Sequence, residues 1–190
     1  MNIEQIQESL KHVLSESRYQ HSLGVMEVAH DLAVIYSCDV DQAIYAGILH
    51  DCAKYVSNES LLQECELRQI QVTEVERKCP FLLHAKVGAI YAQQKYGVEE
   101  EQIMNAIIYH TTGRPNMTLL EKIIFTADYI EPFRKPLPRI EELRKTAYQD
   151  LDYAVFIILD NMLKYLTKSG NVVDYTTVQA YDYYKEMLNL

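Results

Sequence analysis

Six side chains, four imidazoles and two carboxylates, are spaced along this chain so that they can act together: His21, His50, Asp51, His84, His110 and Asp128. At their centre is the stretch Ala46-Gly47-Ile48-Leu49-His50-Asp51-Cys52-Ala53-Lys54. An apolar run ends there on an adjacent His-Asp pair, and a lysine stands three residues later. A neutral imidazole beside an ionised carboxylate suits a divalent metal with mixed nitrogen and oxygen preference. A carboxylate has two oxygens, so Asp51 can bridge two ions. A second pair, His30-Asp31, offers the same residue types. Helical phase separates the two pairs. The segment from about Tyr19 to Tyr36 reads as a helix with Val25, Val28, Leu32 and Ile35 on its apolar stripe. His21 falls on that stripe, while His30 lies about 180° away at roughly 100° per residue. His30-Asp31 therefore reads as a solvated helix face.

The other candidates need elements to carry them. Ile3, Ile6, Leu10 and Val13 predict an amphipathic first helix from Met1 to about Ser15, with His12 on its surface. Asp39 and Gln42 form a capping-box pattern that opens the helix leading to His50-Asp51. Asn58 to Arg68 and Glu74 to Lys78 read as short helices before a break at Cys79-Pro80. His84 opens a helix with Val87, Gly88 and Tyr91 on one face, ending near Gly97. Glu99 to Glu101 favour the start of the next helix through its dipole. Ile103, Ile107 and His110 share a face of it, and Gly113 suits a left-handed end. Thr118 and Glu121 form another capping box, after which Leu120, Ile124 and Asp128 align at steps of four. Pro132, Pro136 and Pro138 break the chain beyond that helix. Glu141 to Lys168 reads as mostly helical, in two pieces, and Thr176 to Leu190 as a closing helix. With no strand-like alternation, the expected fold is all-α: one domain over residues 1–190, a metal-binding core at about 18–132 and C-terminal helices at about 141–190.

Bulk properties narrow the function. The chain has 190 residues, 48% apolar and 24% charged, which is globular rather than disordered. Its formal net charge of -9 disfavours a broad nucleic-acid surface. No apolar run approaches the roughly 20 residues of a membrane span, and the acidic, amphipathic start is unlike a signal peptide, so a cytoplasmic protein is expected. Cys38, Cys52, Cys65 and Cys79 lack metal-ribbon spacing and read as scattered reduced thiols. A cluster of Tyr175, Tyr181, Tyr183 and Tyr184 near the end reads as packing at the surface of the core. A carboxylate on an apolar stripe, as at Asp128, requires a cation or metal partner.

The order His21, His50-Asp51, Asp128 resembles the H…HD…D pattern of the HD-domain metal-dependent phosphohydrolases, and His84 and His110 resemble the additional ligands of its dinuclear branch. The motifs RYQHS (residues 18–22), HDCAK (50–54), HTTGR (110–114) and ADYIEP (127–132) resemble the YqeK family over nearly the whole chain. That resemblance implies a compact helical bundle with a dinuclear site in its core. It implies a symmetrical diadenosine tetraphosphate hydrolase that yields two ADP and uses iron, or else manganese or zinc. One divalent or mixed-valent ion would sit on His21, His50, Asp51 and Asp128, the other on Asp51, His84 and His110. Nucleotide contacts are implied at Lys54, Thr111, Arg134 and the segment Asn171, Val172, Val173, Asp174, Tyr175 and Thr176, the last only loosely similar to other members.

Two ions sharing a water can lower its pKa and neutralise phosphoryl charge. His84, His110 and Asp128 would then border the substrate as well as hold metal. Lys54 can place a point charge on a phosphate, or end a helix in solvent. Arg114 can grip a phosphate bidentately, or serve the dipole of the helix before it. Thr111 and Thr112 can donate hydrogen bonds to substrate or cap that helix. Arg18, one turn before His21, can reach a phosphate or fix a carboxylate beside a metal ligand, and Arg134 is similarly divided. Two other classes compete. A di-iron oxygenase uses a similar ligand set, but the cations suit a polyphosphate better than an uncharged polyol. A regulatory nucleotide-binding module would hold its metal for structure alone. A homodimer is a further expectation.

Overall fold

Among residues 1–134 and 139–190, which the computed structural model describes, every regular element is helical. The order is α1 (Ile3–Val13), α2 (Glu16–Tyr36), α3 (Val40–Leu49), α4 (Asn58–Leu67), α5 (Glu74–Lys78), a 3-10 turn (Pro80–Leu83), α6 (His84–Tyr96), α7 (Glu101–Tyr109), α8 (Leu119–Ile130), α9 (Ile140–Ala147), α10 (Leu151–Lys168) and α11 (Tyr175–Met187). The all-α expectation holds. No described helix is long and apolar enough to cross a membrane.

Local chemistry sets most of the helix starts. Asn2, Ser15, Asp39, Ser57, Thr73, Thr118, Asp150 and Asp174 each accept a backbone N–H from the first turn they precede. Each such cap is worth about 0.5–2 kcal/mol. Thr118 and Glu121 form the full reciprocal box. Asp39 accepts from the Gln42 N–H, which is one half of the expected pair. Gly97, Gly113 and Gly170 all adopt positive φ, as helix and loop ends require. Helix α8 ends before Pro132. Pro136 and Pro138, expected to break the same stretch, lie outside the described residues.

Helices α3 and α8 pack against each other and against both α2 and α7, and α6 packs on α7, while α9 and α11 each pack on α10, and α9 and α10 reach α8. Ile48, Leu49, Ile107, Ile123 and Ile124 are buried where the first set meets. Burying one such side chain contributes about 1.5–3 kcal/mol. Gly47 lets α2 and α3 approach closely: a Cβ there would lie 2.9 Å from the Met26 Cα.

Three apolar assignments need correction. Ile35, expected on the inward stripe of α2, is exposed. At roughly 100° per residue it lies about 80° from Val25, just beyond Val28 at the edge of the buried face. Tyr36, one residue further, returns to the buried side and donates its hydroxyl to the Ala147 carbonyl at 2.8 Å. Val13 is also exposed, because α1 ends there and the extended backbone of Leu14 turns that side chain inward instead. In the tyrosine cluster Tyr184 is fully buried rather than superficial.

Candidate metal centre

Three of the four imidazoles sit where a helical turn stops. His50 is the C-cap of α3, His84 the C-cap of the 3-10 turn and His110 the C-cap of α7. Each turns Nδ1 back onto the carbonyl three residues earlier. His50 donates to Gly47 O at 2.7 Å, His84 to Phe81 O at 2.5 Å and His110 to Ile107 O at 2.7 Å. A carbonyl oxygen only accepts, so Nδ1 carries the proton and the Nε2 lone pair faces the interior. His21, within α2, reaches the same state by another route: its Nδ1 lies 3.0 Å from Glu131 Oε1.

The four Nε2 atoms meet in two pairs. His21 and His50 stand 3.2 Å apart, and His84 and His110 also 3.2 Å apart. Two lone pairs at that distance repel, and a cation between them reverses the sign. Asp51 lies between the pairs. Its Oδ1 is 3.0 Å from His84 Nε2 and 3.6 Å from His110 Nε2, while Oδ2 is 3.7 Å from His50 Nε2 and 3.9 Å from His21 Nε2. Oδ1 is buried and accepts no hydrogen bond, despite its short distance to His84, because that nitrogen has no proton to give. Donor atoms of His21, His50 and Asp51 lie within 4.8 Å of one another, and so do those of Asp51, His84 and His110. Asp128 Oδ1 extends the first group, 3.0 Å from His21 Nε2 and 3.8 Å from His50 Nε2. Convergent lone pairs and an unpartnered carboxylate oxygen fit two divalent cations of nitrogen and oxygen preference.

The electrostatics of His50, His84 and Asp51 agree with this donor set. Burial lowers His50 to about 3 and also lowers His84, so both are neutral and ready to ligate. Burial also works to lower His21, but Asp128 and Glu131 outweigh it and leave the ring raised. Burial would raise Asp51, yet its neighbours, Lys54 among them, hold it well below the usual carboxylate range. Asp128 is likewise held low against burial, chiefly by His21. The neighbouring Cys52 thiol is pushed up to about 12 by burial, and it donates to Gly88 O, so it offers no nucleophile.

Cations surround the cluster. Arg18 NH1 is 3.0 Å from Asp51 Oδ2, Lys54 Nζ is 3.7 Å from Asp51 Oδ1, and Arg134 NH1 is 3.6 Å from Asp128 Oδ1. Arg134 also donates to the Asp128 carbonyl. Arg114 is placed differently from its expected grip on a phosphate. Its Nε and NH2 both bond Glu121 at 2.8 Å, and Glu121, buried, also closes the Thr118 cap. Neither expected role of Arg114 matches this, although Glu121 seven residues on was the available signal.

Thr111, Thr112, Asp174 and Thr176 line one small cavity of about 70 Å³ together with Thr73 and Lys86. Asn171, Val172 and Tyr175 are exposed and Val173 is half-buried, none of them lining that cavity. His30 and Asp31 bond each other at 3.0 Å on an exposed face, as helical phase implied. His12 pairs on the surface with Glu8.

An all-helical frame that brings four histidines, three of them at the ends of helical turns, and two aspartates to one centre defines a metal-dependent HD domain. Residues 18–132 match the family described as HD domain. The chain is 41% identical over 169 residues to the symmetrical bis(5'-nucleosyl)-tetraphosphatase of Halalkalibacterium halodurans, covering 89% of each. It is 40% identical over 183 residues to the protein of that name from Bacillus subtilis, covering 96% of this chain and 97% of the relative. A crystal structure described as a predicted HD superfamily hydrolase involved in NAD metabolism, from Clostridium acetobutylicum, superposes with a TM-score of 0.95 at 40% identity and covers 98% of both chains. The chain belongs to the HD-domain family, in its YqeK branch.

Proposed function

We propose that this protein is a symmetrical bis(5'-nucleosyl)-tetraphosphatase, a metal-dependent phosphoanhydride hydrolase that converts diadenosine tetraphosphate to two ADP. The observation that carries the reading is the division of Asp51, one oxygen toward His84 and His110 and the other toward His21 and His50. His21, His50, Asp51 and Asp128 would hold one ion and Asp51, His84 and His110 the other, iron being the first choice. When bound, two such ions supply water activation at neutral pH and charge neutralisation on phosphoryl oxygens.

The chain's own groups do the rest. The Nδ1 protons stay on their nitrogens, donated to carbonyl and carboxylate acceptors, so the imidazoles act as fixed donors of lone pairs rather than as proton shuttles. Lys54, Arg18 and Arg134 each stand beside a cluster carboxylate, and they can turn to the oxygens of a polyphosphate as it enters. Three cations around one cluster, in a chain of net charge -9, suit a polyanion better than an uncharged polyol. Cleavage at the middle of the substrate expels a nucleoside diphosphate. Its terminal phosphate has a pKa of about 6, so departure needs charge neutralisation more than a proton donor. Thr111, Thr112, Asp174 and Thr176, gathered on one cavity, are proposed to meet the nucleoside end.

Iron-loaded protein should be supplied with a panel of dinucleoside polyphosphates and the products identified. ADP as the only nucleotide product from diadenosine tetraphosphate is expected. AMP with ATP would overturn symmetrical cleavage, and a requirement for oxygen would move the protein to the oxygenases.

A further inference from the structure

Glu131, within the ADYIEP motif, is the residue on which the His21 side chain rests. It is buried at 1% exposure. Oε1 is 3.0 Å from His21 Nδ1, and Oε2 accepts the Phe133 N–H at 2.5 Å. The backbone around it is fixed as well. Its N–H donates to Ala127 O, while Arg144 donates Nε to Ile130 O and NH2 to Glu131 O, each at 2.8 Å. The carboxylate is thus pinned at the end of α8 and aimed at α2.

This makes His21 unlike the other three imidazoles. His50, His84 and His110 lean on neutral backbone carbonyls three residues back, which comes with a helical turn ending at the ligand. His21 lies in the interior of α2, where the carbonyls are already engaged by the helix itself, so an acceptor must come from another element. A carboxylate in that place does more than a carbonyl. It fixes the tautomer and ring plane, and its charge increases the electron donation of Nε2.

Gly24 supplies the room. It stands one turn after His21, and a Cβ there would lie 2.7 Å from Glu131 Oε2 and 2.9 Å from Phe133 Cδ2. Since Oε2 is held by the Phe133 N–H, the carboxylate has no free direction in which to yield.

We propose that Glu131, accommodated by Gly24, is the positioning residue of the His21 subsite: it sets the tautomer, plane and donor strength of His21 and thereby the metal affinity of one subsite only. This rests on the dinuclear reading of the centre. It is tested with zinc alone as a diamagnetic probe, on the wild type, Glu131→Gln and Gly24→Ala. Calorimetry reads the affinity of each zinc equivalent, and nitrogen-15 spectra of the histidine rings read which nitrogen of His21 carries the proton.

The wild type should bind two equivalents. Glu131→Gln should lose about 10–100-fold in affinity for one equivalent and keep the other, with the Nδ1–H signal of His21 shifted or broadened by exchange. Gly24→Ala should change the same equivalent in the same direction while retaining the Glu131 charge. A merely structural Glu131 would instead weaken both equivalents alike. That result, or two unchanged affinities with an unchanged His21 signal, overturns the inference while leaving the dinuclear reading intact. A wild type that binds fewer than two equivalents overturns both.

Discussion

Asp51 Oδ1 approaches His84 Nε2 to 3.0 Å, and yet that oxygen is left without a hydrogen bond. Two acceptors in contact call for a cation, and Oδ2 of the same carboxylate faces His50 and His21 at 3.7 and 3.9 Å while accepting from Arg18. Asp51→Ala should therefore empty both metal positions and abolish turnover, whereas His84→Ala should release mainly one equivalent. Metal analysis after gel filtration measures this. Equal loss from the two variants would falsify the bridging assignment.

Lys54 stands with Nζ 3.1 Å from His84 Nε2 and 3.7 Å from Asp51 Oδ1, mostly sheltered, its pKa lowered by burial. Lys54→Met keeps the aliphatic stem and removes the charge. Turnover should fall by about 10²–10³-fold, the usual loss when a charge-stabilising group is removed, with metal content retained. Steady-state kinetics on metal-replete protein decides it. A variant with wild-type kinetics returns Lys54 to a helix-end role.

Arg114 and Glu121 form a forked pair with the carboxylate buried at 1% exposure. Arg114→Met strands that charge, which costs about 3–5 kcal/mol when one partner of a buried pair is removed. Restoration by the double variant Arg114→Met/Glu121→Gln is expected in chemical denaturation. If stability hardly changes and substrate affinity collapses, Arg114 belongs to the phosphate after all.

Helices α2 and α3 come together at Gly47, three residues before His50. Gly47→Ala sets a Cβ against the Met26 backbone, which cannot swing aside as a side chain can. Overpacking of this kind costs about 1–3 kcal/mol, and it pushes α2, with His21, away from His50. A lowered melting temperature accompanied by weaker metal binding is the expected pair of results.

Acid should unfold the metal-free protein earlier than its carboxylates alone would dictate. His50 has a folded value of about 3, below its ordinary 6.5, and His84 is shifted the same way. The unfolded chain binds the protons that these buried rings refuse. Their contribution is complete above 6.5 and is lost as pH falls from there toward 3. His21 is raised and works in the opposite sense, its contribution complete below 6.5 and lost as pH rises through its folded value. Melting temperatures of chelator-treated protein between pH 7 and 4 should fall, two lowered rings outweighing one raised one. A flat profile counts against neutral burial of His50.

Much of the centre was legible because helical phase is a strong constraint. Four steps of about 100° return to nearly the same face, so His21, and Asp128 behind Leu120 and Ile124, could be placed inward from spacing alone. His30-Asp31 could be dismissed by the same rule. The rule is least decisive at the edge of a stripe, and Ile35, just beyond Val28 in phase, shows where it gives way. Pairing between elements is not encoded in spacing. Glu131 with His21 joins the C-cap of α8 to α2, and nothing in the spacing of either helix pairs them. The Arg114–Glu121 pair was closer in sequence but was hidden because Glu121 already had a sufficient reason to be there, as the partner of Thr118.

The three histidines that end helical turns have one more property. Their Nδ1 protons satisfy backbone acceptors of the turn that carries them, so folding the turn and choosing the tautomer are a single event. Mobile imidazoles would spread over two tautomers and several ring orientations, and an arriving ion would have to select among them. Here that selection is complete once α3, the 3-10 turn and α7 have formed. The entropy of ordering the ligands is charged to folding, and each ion meets nitrogen donors whose orientation is already decided.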